Sequence, residues 1–184
     1  MFDKFRDFLR DERAAVALET VILTPLLIWA YVGTFAFFDA YRVYNTSVKA
    51  TYMVADMLSR QTNWVYPHDI QGMANVIDTI IRGSSDVQMR TTQIGWVSGA
   101  YQLDWSWGVN GAARLFQTNL ESVEEMLPNM SEGERVILVE TVVAYDAPFD
   151  VDLTVLRFEN FTVVRPRYAG QVPFDPNTSF VPTS

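Results

Sequence analysis

Cysteine is absent from the 184-residue chain, which excludes disulfides, thiolate metal sites and cysteine nucleophiles. That absence is compatible with an oxidising compartment without requiring one. Histidine occurs once, at His68, and no zinc-ligand spacing, nucleophile elbow, P-loop or dinucleotide fingerprint accompanies it. Basic side chains are scarce, with 14 Lys and Arg against 22 Asp and Glu and a formal net charge of −8. From Asp39 onward there are 17 acidic and 10 basic residues, a balance of −7. Lys and Arg are scattered singly there, so the positive stripe that backbone phosphates require is missing and nucleic acid is excluded as a partner. Proline is missing between Pro25 and Pro67, and there is no internal repeat.

What is present is one long apolar run. Thr20 to Phe38 carries no charged side chain over 19 residues. At ~1.5 Å per residue a helix of that length spans about 28 Å, close to the ~30 Å hydrocarbon core of a bilayer. A cleaved secretory signal ends its apolar region in small residues at −3 and −1. Here the run ends Phe35-Ala36-Phe37-Phe38-Asp39, so the helix is expected to stay on the protein as an anchor. Lys4, Arg6, Arg10 and Arg13 precede the run, and only Arg42 and Lys49 follow closely. This bias predicts a single-pass protein of the inner membrane with its N-terminus in the cytoplasm and its bulk in the periplasm. Glu19 stands at the edge of the run. A carboxylate there costs on the order of 2–3 kcal/mol unless it is solvated among headgroups or neutralised by a partner within a helix assembly. Pro25 lacks an N–H and crowds the carbonyl four residues back, so a kink is expected near Val21.

The stretch Arg10-Asp-Glu-Arg-Ala-Ala-Val-Ala-Leu-Glu19-Thr-Val-Ile-Leu-Thr-Pro25-Leu-Leu resembles the start of TadE and TadG proteins, the minor pilin-like (pseudopilin) components of the tight-adherence (Flp, type IVb) pilus system. Their shared pattern is a charged leader, a small residue, four residues, a Glu, and an apolar run with a proline about six residues on. Two positions depart from it: Ala14 stands where Gly is usual, and Thr20 where an aromatic often follows the Glu. Gly133-Glu-Arg-Val-Ile-Leu-Val-Glu140-Thr-Val-Val-Ala-Tyr145 and Val164-Arg165-Pro166-Arg167 are similar to segments of alphaproteobacterial TadE-like chains. The resemblance implies a non-catalytic structural or assembly protein without a cofactor, acting in pilus biogenesis and surface adhesion. It implies cleavage by a prepilin peptidase between Ala14 and Ala15, which makes Glu19 the fifth mature residue and an assembly contact. The partners it implies are inner-membrane lipid, other pilin subunits, TadG- and TadF-like minor pilins and the tight-adherence secretion machinery. A signal-anchored periplasmic binding or scaffold module that never enters a filament is the alternative reading.

Beyond Phe38 the helix is expected to continue as a stalk, with Tyr41, Tyr44, Val48, Thr51, Ala55 and Leu58 forming a stripe at spacings of three and four. The whole is expected to be α+β and pilin-like, a long helix packed on a small antiparallel sheet. Its divisions are a leader at 1–14, a helix at 15–60 with its membrane part at 20–38, an α+β domain at 61–167, and an extended tail at 168–184. Within the domain, Ile70, Met73, Val76, Ile77 and Ile80 mark a helix after Pro67 that ends at Gly83. Strands are expected at Asp86–Val97 and Tyr101–Trp107 across a Ser98-Gly99 turn, at Glu134–Tyr145 and at Phe158–Arg165. Asn119 is expected to cap a short helix ending before Pro128.

Three further groups invite a chemical reading. His68 beside Asp69 reads as the start of a helix, since no nucleophile motif adjoins it. Asp146, Asp150 and Asp152 offer carboxylates to a hard cation, but lack the glycine-containing loop of known calcium sites, so a solvated turn with no metal is preferred. Tyr101, Trp105 and Trp107 share one face of a regular strand. They read as sheet-packing residues or, under the binding-module alternative, as a carbohydrate or adhesin surface.

Overall fold

The computed structural model describes residues 12–81, 87–145 and 156–177, and the chain divides into two units. Of the described residues, 12–41 belong to the first and the remainder to the second. Helix α1, Glu12–Ser59, starts in the first unit and ends in the second. With 48 residues it is about 72 Å long at ~1.5 Å per residue. It continues unbroken through Pro25. Thr20 and Thr34 each donate their hydroxyl to the carbonyl one turn back, Val16 and Ala30, at 2.8 Å. Such bonds hide hydroxyl polarity within the helix itself.

In the second unit, α1 buries a stripe of Ser47, Ala50, Thr51, Val54, Ala55 and Leu58. The expected stripe was correct at Thr51, Ala55 and Leu58, whereas Tyr41 and Tyr44 are exposed. Burial follows the 3.6-residue period, with small residues inward. Tyr44 remains at the rim, its ring edge-on to Phe158 at 5.6 Å.

Helix α2, Pro67–Ile81, begins with three mutually consistent signals. Pro67 takes the first helical position, where its missing N–H costs nothing. Asp69 accepts the Tyr66 N–H at 2.9 Å, the reciprocal half of a capping box. Ile70, Met73, Ala74, Ile77 and Ile81 are buried, while Val76 and Ile80 face outward. Gly83 lies outside the described residues.

Four strands form one antiparallel sheet in the order β2-β1-β3-β4. They are β1 Gln88–Val97, β2 Ala100–Val109, β3 Arg135–Tyr145 and β4 Leu156–Val164. Ser98 and Gly99 both have positive φ, 55° and 77°, the signature of a two-residue type I′ hairpin turn. One face of the sheet, carrying Met89, Ile137, Val139 and Val143, packs with the buried sides of α1 and α2. The other face, carrying Ile94, Val136 and Leu138, is covered by Leu115, Leu120 and Val123. The architecture is therefore α+β, with a long apolar N-terminal helix and a small antiparallel sheet.

Asn119 does not cap a helix. The segment Gln117–Met126 is a 3-10 helix whose N-cap is Phe116, with no side-chain cap bond. It begins earlier because Gln117 is bonded to the sheet edge: its Oε1 accepts the Leu103 N–H at 2.7 Å and its Nε2 donates to the Tyr101 carbonyl at 3.0 Å. One amide side chain thus substitutes for a strand on the outer edge of β2.

Beyond β4, Val172 is fully buried in the main core. Phe174 makes a parallel bridge with Val65, flanked by Val65 N–H to the Pro173 carbonyl at 2.9 Å and Asp175 N–H to the Val65 carbonyl at 3.0 Å. The first part of the expected tail is an anchored strap; residues 178–184 lie outside the described residues.

A non-glycine residue at positive φ costs about 1–2 kcal/mol. Ser98→Val is therefore expected to lower unfolding free energy by about 1–2 kcal/mol. Ser98→Asn, which suits the type I′ turn, should raise it by about 0.5–1 kcal/mol. Denaturant melts of both variants check this.

Candidate functional site

The N-terminal half of α1 is built unlike any core helix. From Val16 to Phe38, thirteen large apolar side chains are between 42% and 74% exposed, and they point to every side of the helix. The stretch Val16–Ser59 contains a window of mean hydropathy 2.0 of which 6% is buried. A helix that is hydrophobic all round belongs in a core or in lipid, and between Val16 and Phe38 Ala36 is the one residue that is buried. Each such side chain left in water forfeits about 1.5–3 kcal/mol. The helix has the length and composition of a membrane span.

Glu19 is the one carboxylate on this surface; it is exposed, and among the described residues nothing pairs with it. It lies four positions after Ala15, one helical turn along the same face and about 6 Å away. The Ala14–Ala15 bond lies within α1. Pro25 is six residues beyond Glu19 and about 240° around the helix, so the two are on different faces. Pro25 leaves the Val21 carbonyl without its usual donor.

The other candidate residues have structural roles. His68 is the second residue of α2, with its ring stacked on Tyr66 at 5.4 Å and Nε2 3.4 Å from Asp69 Oδ1. Asp146, Asp150 and Asp152 lie outside the described residues. Among the described residues, no three His, Asp or Glu side chains converge to hold a metal.

Tyr101 does not share a face with Trp105 and Trp107. The β1–β2 register shifts between Gln93, opposite Trp105, and Ile94, opposite Leu103. Asp104 is the extra residue of a β-bulge, and the bulge reverses the alternation of side chains. Trp105 and Trp107 consequently pack on the core beneath the helices, and Tyr101 on the opposite one. Phe174 stacks on Trp105 at 4.8 Å and lies 5.5 Å from Trp107. The Arg114 guanidinium sits 3.4 Å from the centre of the Trp107 ring. These ring faces are occupied.

The bulge also creates a polar chain that alternation alone does not foretell. Asp104 Oδ2 accepts from Arg135 Nε at 2.9 Å and from Gln93 Nε2 at 2.8 Å. Gln93, buried, accepts the Val172 N–H at 2.8 Å, and Trp105 Nε1 donates to the Val172 carbonyl at 2.9 Å. Both backbone groups of Val172 are thereby satisfied in the interior, which lets the strap cross the sheet face.

Gln93→Leu leaves the buried Val172 N–H without an acceptor, and should cost about 1–3 kcal/mol of stability. A thermal melt, together with a red shift of tryptophan emission as Trp105 loses cover, measures the loss. Comparison with protein-family models, with curated proteins and with solved structures finds nothing that matches this chain.

Proposed function

We propose that the protein is a membrane-anchored, non-catalytic, minor pilin-like assembly subunit of a tight-adherence (type IVb, Flp) pilus. The observation that carries this reading is the surface of α1: apolar on every side from Val16 to Phe38, with a single carboxylate, Glu19, one turn after Ala15. Cleavage between Ala14 and Ala15 would place a new α-amino group within about 6 Å of that carboxylate along the helix. Pairing with the amine of its own or a neighbouring subunit neutralises both charges in hydrocarbon, where an unpaired one is costly. The partners are inner-membrane lipid, other pilin subunits and TadG- or TadF-like minor pilins. The prepilin peptidase and the secretion machinery act on the same segment, and the domain from Arg42 onward is the periplasmic part.

Intact mass and N-terminal sequencing of the protein from its native membrane test the processing step. A start at Ala15 that reverts to the full chain when the peptidase is removed is the expected result. A chain uncut between Ala14 and Ala15 in the presence of active peptidase overturns it.

Glu19→Ala removes the charge and should ease membrane insertion by about 2–3 kcal/mol, while abolishing incorporation into filaments. Equal piliation and equal subunit cross-linking in the variant and the parent would sink the assembly role of Glu19.

A further inference from the structure

A concavity of about 560 Å³ opens where α1 hands over to α2, lined among others by Met57, Trp64, Met73 and Val76 on its apolar side. That volume is in the range of small-molecule sites. Gly72 borders it, and no atom lies within 4 Å of where a β-carbon would stand, so this stretch of wall stays open. Trp64 is 59% exposed. Trp96, Trp105 and Trp107 each have a ring partner, and Trp29 belongs to the apolar run. Outside that run, Trp64 alone holds its ring open to water.

The polar side of the cavity includes Gln61 and Asn63. Among the described residues neither amide, nor the Trp64 indole, makes a hydrogen bond or ring contact. Two planar amides without a protein partner among the described residues, Asn63 exposed and Gln61 half-buried, thus line the same hollow as one free aromatic face. No Lys or Arg lines the cavity, so an anionic ligand finds no counter-charge. The carboxylate that does line it, Asp69, is held by the Tyr66 N–H on Oδ2 and has Oδ1 3.4 Å from His68 Nε2, and its remaining lone pairs can accept from ligand hydroxyls. A wholly apolar ligand would desolvate the amides without satisfying them.

We infer that this cavity binds a neutral saccharide, with the Trp64 ring against the apolar C–H face of a pyranose and the Gln61 and Asn63 amides on its hydroxyls. Such a site requires only the fold of the second unit, and it holds whether or not the chain enters a filament.

The test uses the full chain in lipid nanodiscs, since glycosidic detergents would compete. Saturation-transfer NMR is run against neutral oligosaccharides of glucose, galactose and N-acetylglucosamine, with an acidic oligosaccharide and an alkylammonium salt as controls. Transfer to at least one neutral sugar is expected, together with a change in tryptophan emission. Trp64→Ala should weaken it by about tenfold or more and Asn63→Ala by a few fold, with circular dichroism and melting unchanged. Transfer to no neutral sugar at about 10 mM, weaker than the useful affinity range, would overturn the assignment. So would undiminished binding to Trp64→Ala, or stronger binding of either charged control.

Discussion

Along its length helix α1 changes from a surface that is apolar on every side to one that buries a single stripe, with Ala36 and Ala40 the first buried positions. Hydroxyls are handled alike in both parts: Thr20 and Thr34 bond back one turn, as Thr46 and Thr51 do further on. In the second part, packing against a sheet admits small residues at the contact, and Ser47, Ala50 and Ala55 supply them.

Polar atoms in the second unit are handled by a different device. The strap after β4 carries Val172 into the core, and backbone groups taken there must find partners. Gln93 and Trp105 provide them, and Gln93 is itself held by Asp104, which is held by Arg135. Thr51 and Thr141 similarly share a hydrogen bond of 2.7 Å between helix and sheet. Among the described side chains, no buried nitrogen or oxygen lacks a partner. Arg90 and Glu140, paired across β1 and β3 with two bonds of 2.6 Å, add a charge-assisted clamp that is only partly open to water. These contacts fix the strand register in addition to the apolar alternation.

Much of the local architecture was legible in the residues. The Ser98-Gly99 hairpin, the helix after Pro67 and the four strands follow from turn chemistry and periodicity. Their ends differ by two residues or fewer where the structure describes them. The misses share a cause, which is that tertiary contacts outweighed local pattern. Tyr44 left the expected stripe for the rim, where its ring meets Phe158. Asn119 lost its capping role because Gln117 is tied to the edge of β2. Tyr101 moved to the far face because one residue, Asp104, is inserted in the ladder. The candidate site was legible in the N-terminal helix, where length and charge exclusion are properties of the sequence. The Trp64 cavity was not, because no pattern in Gln61-Thr-Asn-Trp64 reveals that α2 leaves a gap beside it.

By itself the sequence determined the apolar run, the lone Glu19 beside it, and the alternation of β3. These depend on composition and on periods fixed by backbone geometry. Only the tertiary structure decided which tryptophans are covered, where the strap crosses the sheet and which amides remain unspent. Those outcomes depend on contacts between residues far apart in the chain, such as Gln93 with Val172 and Trp105 with Phe174. A bulge of one residue redirects every side chain beyond it, and no local period records where that residue will be inserted.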